Sequence, residues 1–219
     1  RLQDASLDGE KGLLNSMGLP GQGVESFSAE LPKNGLWDFD RPLGVSIGGN
    51  SLKEYVENMR VVNQALWGFA KPYFYELNIS CPNTENGRTI GDDPTELESL
   101  LDQIRKIVTN PISIKVSPDF SNEQLEQIGE ICQSTDLMFI NAGNTQFKMA
   151  IEVGINPRYF SKEGGGFSGP ALFDRTIEMV KLFSKFDLPI MATGGISNIH
   201  HVRKLRNEGA TLFGMAPAL

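Results

Sequence analysis

The chain has 219 residues, 40% of them hydrophobic and 21% charged, with a formal net charge of -7. That mixture suits a globular protein with a large core, and without any long basic block it excludes both compositional disorder and a nucleic-acid footprint. No apolar run approaches the roughly 18 residues of a membrane span, and Arg1-Leu2-Gln3-Asp4 does not open a signal peptide, so a cytoplasmic protein is expected.

In chain order, an apolar segment over 12–17 precedes a helix near 24–31 and a loop over 32–42. Residues 43–47 read as a buried strand ended by Gly48-Gly49, and Ser51 caps a helix with Val56, Met59, Val62 and Leu66 at helical spacing. A strand over 73–79 follows, rich in aromatic and β-branched residues, and it breaks into Ser80-Cys81-Pro82-Asn83. The helix over 94–108 opens on Pro94 and Glu96, with Leu97, Leu100, Leu101, Ile104 and Val108 on its apolar face. Then come a strand over 112–116, a helix over 121–132, a strand over 137–140 and a long irregular stretch over 141–169. A helix over 171–186, a strand over 189–192, a helix over 198–207 and a strand over 211–215 complete the pattern. About seven short strands alternate with helices, which implies right-handed βαβ units and a parallel sheet in one domain spanning 1–219. The expected class is α/β, either a (β/α)8 TIM barrel incomplete in this chain or an open seven-strand sheet.

In either arrangement ligands collect at the C-terminal ends of the strands. Those ends carry Asn15, Asn78, Asn83, Asn141 and Asn144, and amides that both donate and accept suit a small planar ligand with imide, amide and carboxylate edges. Asn and Gly are also ordinary turn residues, so a single one decides nothing. Lys115 lies between Ile114 and Val116, where an ammonium either snorkels into a salt bridge or stabilises electron density on a bound group. The run Gly164 to Gly169 and the pair Gly194-Gly195 each precede a helix and could cradle phosphate, or could simply turn corners. Cys81 could be an inert thiol, a nucleophile or an acid/base. The only histidines, His200 and His201, are far along the chain, which favours the base over the His-activated nucleophile. Cys132 falls in a helical pattern as a small buried residue, and no zinc spacing or other metal site is present.

Taken in order, NSMGLP, LNISCPN, IKVSPD, the NxxNT of Asn141 to Thr145, GGFSG and ATGGIS resemble the dihydroorotate dehydrogenase family. The resemblance runs through nearly the whole chain and implies an FMN-containing barrel that oxidises dihydroorotate to orotate in pyrimidine synthesis. It implies Cys81 as the base that removes the C5 proton while hydride leaves C6. Substrate positions carried over are Asn15, Met17, Gly18, Leu19, Asn78, Asn83, Asn144 and Thr145. Cofactor positions are Ser46, Asn78, Lys115, Gly169, Gly194, Gly195 and Ala216. Cys81 and NSMGLP resemble the soluble class, which implies a homodimer, whereas NTENGR and IKVSPDF lean toward the membrane-associated class. The family's opening strand and closing helix have no counterpart here. Pro217 stands where a phosphate-donating backbone N-H is usual, and the loss of one such bond is expected to weaken FMN roughly tenfold. Alternatives are a dihydropyrimidine dehydrogenase-like flavin barrel, a flavin-less ligand-binding remnant of the family and a phosphate-binding aldolase-type barrel with Lys115 as its Schiff-base lysine.

Overall fold

The computed structural model describes residues 2–18, 21–80, 89–156, 158–160 and 162–215. The chain opens with a hairpin, β1 (Leu2–Leu7) and β2 (Glu10–Asn15). Its two-residue turn is Asp8-Gly9, with φ of 51° and 82°, the doubly left-handed backbone that Asp-Gly tolerates and that matches strand twist. Helix α1 (Val24–Glu30) and two short 3-10 turns lead to β3 (Leu43–Ile47). Helix α2 (Leu52–Ala65) starts where the Ser51 side chain accepts from the Glu54 N-H, and β4 (Tyr73–Asn78) follows. Asp93 caps α3 (Pro94–Arg105), with Pro94 in the first turn, where its missing N-H costs nothing.

Next are β5 (Ile112–Val116) and α4 (Asn122–Gln133), which begins in a reciprocal cap between Ser121 and Gln124. After β6 (Met138–Ala142) come β7 (Gln146–Met149) and β8 (Gly164–Ser168), then α5 (Phe173–Phe183), β9 (Ile190–Thr193), α6 (Ile199–Asn207) and β10 (Leu212–Gly214).

A six-stranded parallel sheet runs in the order β10-β9-β6-β5-β4-β3, and a four-stranded antiparallel sheet in the order β1-β2-β8-β7. This is the α/β alternation of a barrel carried through part of its circuit. Six of the strands read from sequence fall in the parallel sheet. The segment over 12–17 does not: as β2 it pairs antiparallel with β1 and β8. The stretch over 141–169 is also not irregular throughout, because β7 and β8 pair within it. The run Gly164 to Ser168 is therefore a ladder strand between β7 and β2, and Gly169 follows just outside it. Its glycines allow close approach: a Cβ on Gly166 would lie 2.1 Å from Thr145 Oγ1, and one on Gly165 2.2 Å from the Asn15 carbonyl oxygen.

Alternation along each parallel strand sorts side chains onto two faces. One face carries Val45, Tyr75, Leu77, Ile112, Ile114, Ile140, Ala142, Ile190 and Ala192 into a core with Met59, Leu100, Ile104, Leu125, Val180 and Phe183 from the helices. Each large apolar side chain buried there stabilises the fold by about 1.5–3 kcal/mol. The other face presents Ser46, Glu76, Asn78, Ser113, Lys115, Asn141 and Thr193. A smaller core of Leu14, Phe167, Val153, Phe160 and Leu172 lies on the antiparallel sheet.

Candidate active site

Strand register puts the polar residues in one row. Asn78 pairs with Lys115, Lys115 with Asn141, and Asn141 with Met191 across four adjacent strands. One row down, Ser46 pairs with Glu76 and Glu76 with Ser113. Successive strands thus bring residues far apart in sequence within reach of a single small ligand.

Above the row, Asn144 Nδ2 donates to Ser80 Oγ at 2.7 Å, and Ser80 Oγ donates to Asn78 Oδ1 at 3.0 Å. Asn144 Oδ1 accepts from the Thr145 N-H at 2.8 Å. Asn15 Nδ2 donates to the Gly166 carbonyl at 3.0 Å, a bond within the antiparallel sheet beside Thr145. Tyr55 Oη donates to the Asn78 carbonyl at 2.5 Å and fixes the end of β4 from α2. Because Asn78 accepts at Oδ1, its Nδ2 is left as a donor, and it bonds to no described residue. Lys115 is half-buried and forms no ion pair among the described residues.

Three atoms on this face are buried without a hydrogen-bond partner: Ser113 Oγ, Asn141 Oδ1 and Thr193 Oγ1. Buried polar atoms are almost always satisfied, and leaving one unmade costs about 1–3 kcal/mol. Their common placement points to a group bound against the sheet. A ring system with N-H and C=O edges would pair with Asn141 Oδ1, the two hydroxyls, Asn78 Nδ2 and Lys115 Nζ, so the donor and acceptor set fits the pyrimidine edge of FMN.

The end of β9 is built differently. Gly195 approaches α5 so closely that a Cβ would lie 2.4 Å from the Phe173 nitrogen, and the first turn of α5 has no side-chain cap. Thr176 Oγ1 donates to the Gly194 carbonyl at 3.1 Å, and His201 stacks on Phe173 at 3.7 Å between ring centroids. The Leu172 and Phe173 N-H groups are taken up by the Gly169 and Pro170 carbonyls, so an anion here would be met by the backbone of the Gly194-Gly195 turn.

Asn78 and Asn144 are therefore linked through Ser80, Thr145 bonds to Asn144, Asn15 bonds to Gly166 beside Thr145, and Lys115 lies on the neighbouring strand. Ser46 is exposed on the edge strand, Gly169 leads from β8 into the 3-10 turn Pro170–Leu172, and Met17 is 54% exposed, with no hydrogen bond or ion pair among the described residues drawing it to the cluster. Gly18 has no atom within 4 Å of a Cβ position. Leu19, Cys81, Asn83, Ala216 and Pro217 lie outside the described residues. Glu76, Ser113 and Thr193 are absent from the sequence-derived set. The signal that could have found Glu76 is its place two residues before Asn78, on the same face of an otherwise apolar strand.

Cys132 is fully buried, and burial pushes its thiol up to about 12, as expected for an inert packing residue. No group of three His, Cys, Asp or Glu among the described residues could hold a metal ion. A cavity of about 1060 Å³, lined by Trp67, Tyr73, Phe74, Phe139, Met191 and others, opens at the opposite end of the strands. It contains none of the polar residues of the row.

A catalytic subunit of dihydroorotate dehydrogenase B (NAD(+)) from Pyrococcus furiosus is 31% identical over 213 residues, covering 95% of this chain and 66% of the relative. The corresponding subunit from Caldicellulosiruptor bescii is 30% identical over 203 residues, covering 91% and 64%. The chain thus spans less than two thirds of the length of these curated relatives. A DHODH of Eimeria tenella, solved in complex with ferulenol, superposes with a TM-score of 0.77 at 20% identity over 94% of this chain and 62% of its own, a likeness of fold. The sequence profile of dihydroorotate dehydrogenase matches residues 5–219, and this chain belongs to that family.

Proposed function

We propose that the chain forms an FMN-binding barrel unit that oxidises dihydroorotate to orotate. The observation that carries this reading is the polar row Asn78, Lys115 and Asn141, with unpartnered buried acceptors and hydroxyls on one face. Asn141, Lys115, Thr193, Ser113 and Asn78 would hold the ring of FMN, with Ser46 at the sheet edge. The turn at Gly194 and Gly195, with Gly169 and Ala216, would hold its phosphate. FMN, when bound, supplies the acceptor for the hydride that leaves C6 of dihydroorotate.

The chain's own residues do the rest. The ammonium of Lys115 offsets the negative charge that develops on a ring against the row, and it does so most strongly where water is excluded. Asn15, Asn78, Asn83, Asn144 and Thr145, with Met17, Gly18 and Leu19, orient the substrate by its carboxylate and imide edges. Asn78 is preset for this, since Ser80 occupies its acceptor and leaves Nδ2 to donate. Cys81 removes the proton from C5, a carbon-acid step that needs a base held beside the substrate.

No described helix is long and apolar enough to cross a membrane. We place the protein in the cytoplasm as a homodimer, which sedimentation would check. The test of the activity is anaerobic: dihydroorotate should bleach the flavin absorbance, and Cys81→Ala should slow the bleaching by orders of magnitude. Equal rates with and without Cys81 would remove its assigned role. A colourless protein that takes up no added FMN would overturn the flavin reading itself.

A further inference from the structure

Glu76 lies on the inner face of β4, directly opposite Ser113 of β5, and its carboxylate does not stay over its own row. It reaches past the small Ser113 side chain to β6, where Asn141 Nδ2 donates to Glu76 Oε2 at 2.7 Å. Asn141 is only 5% exposed, so this bond decides how its amide stands. A carboxylate can only accept, so Nδ2 must face Glu76 and Oδ1 must face away. The amide orientation, ordinarily ambiguous, is dictated here by chemistry. Oδ1 is the atom left buried with no partner, in the same row as Lys115.

We infer that Glu76 is a positioning residue for the cofactor: by holding Asn141 Nδ2 it keeps Oδ1 as an acceptor for an N-H of the bound ring, and it sets a negative charge on the face that receives the electrons. The inference rests on the FMN reading of this face. It assigns Asn141 the role of direct contact and Glu76 the role of acting through it.

The test uses the full-length natural protein and free FMN, with affinity read from quenching of flavin fluorescence and the midpoint potential from a redox titration. Glu76→Ala removes the acceptor, so the Asn141 amide is free both to flip and to leave its rotamer, and FMN should weaken about tenfold, the cost of a competent population near one in ten. In an Asn141→Ala background the same change should cost less than about twofold, since residues that act as a unit are not additive. Glu76→Gln can still accept from Asn141 but equally permits the flipped amide, so affinity should fall no more than about twofold, the cost of halving the competent population. The potential should nonetheless move to more positive values, because a negative charge near the reduced ring has gone. If Glu76→Ala fails to fold, the potential of the isosteric Glu76→Gln protein still decides the matter. Equal affinity losses from Glu76→Ala in both backgrounds, or a potential unmoved by Glu76→Gln, would overturn the inference. Wild-type protein that binds no FMN would instead remove the flavin reading on which it stands.

Discussion

The two faces of β4 differ in kind. Tyr75 and Leu77 point to the helices and have no exposure at all, and Tyr75 Oη donates to Asn63 Oδ1 so that even its polar tip is satisfied. Between and beyond them, Glu76 and Asn78 point the other way into the polar row, which keeps three buried atoms unpaired. One face spends its contacts on stability. The other keeps polar atoms available to a bound group, and this division within six residues marks the candidate site better than any single side chain.

The largest effect should come from disturbing the joint between β6 and β9, on which the row depends. A Cβ on Gly143 would lie 1.5 Å from the Thr193 carbonyl oxygen, at a φ of 150°. The Thr193 atoms it would meet are all backbone and cannot swing aside, so Gly143→Ala should destabilise by more than about 4 kcal/mol, seen as loss of soluble protein or a collapsed urea midpoint.

Substitutions on opposite faces should then separate folding from binding. Leu77→Ala should lower stability by about 2–5 kcal/mol in urea denaturation while the folded fraction still takes up FMN. Asn141→Ala should do the reverse. It loses the bond to Glu76 but also removes a buried unpartnered acceptor, each worth about 1–3 kcal/mol, so the midpoint should move little while FMN affinity falls.

Lys115→Met tests the cation alone. The thioether keeps the apolar stem, so stability should change by less than about 0.5 kcal/mol, whereas FMN affinity should drop about tenfold or more in fluorescence titration.

The smallest effect concerns Cys132, on the helix-facing side. Its thiol is raised from 9.0 to about 12 by burial, so between those values the unfolded chain has lost a proton that the folded chain keeps. Stability therefore falls as pH rises through that window and is unaffected below it. Urea midpoints at pH 8 and pH 10 should differ less in Cys132→Ala than in the natural protein, and the native thiol should resist alkylation near neutrality.

Much of this was legible locally. The aromatic and β-branched run before Asn78, the cap at Ser51, the Pro94 opening of α3 and the charge of Lys115 inside an apolar strand depend on a few neighbouring residues, so the parallel strands, most of the helices and the side-chain types at the strand ends follow from sequence. The turn at Asp8-Gly9 was equally local, and it marks the hairpin of β1 and β2 that a reading tuned to βαβ alternation passes over. What the sequence could not supply is pairing between distant segments. Leu14 opposite Phe167, which makes β2 part of the antiparallel sheet, joins residues far apart in the chain, and the glycines before Ser168 look like a phosphate loop until their ladder partners are known.

Glu76 and Asn141 are separated by 65 residues, and their bond exists only because β5 lies between them in one register with a serine at the crossing. The amino-acid sequence by itself determined which residues alternate, where chains turn and which chemistries are carried. Only the tertiary structure decided which amides meet, which way Asn141 points and which atoms stay unpaired. The physical reason is that backbone sterics and hydrogen-bonding act over a few residues, whereas register and burial depend on the whole sheet.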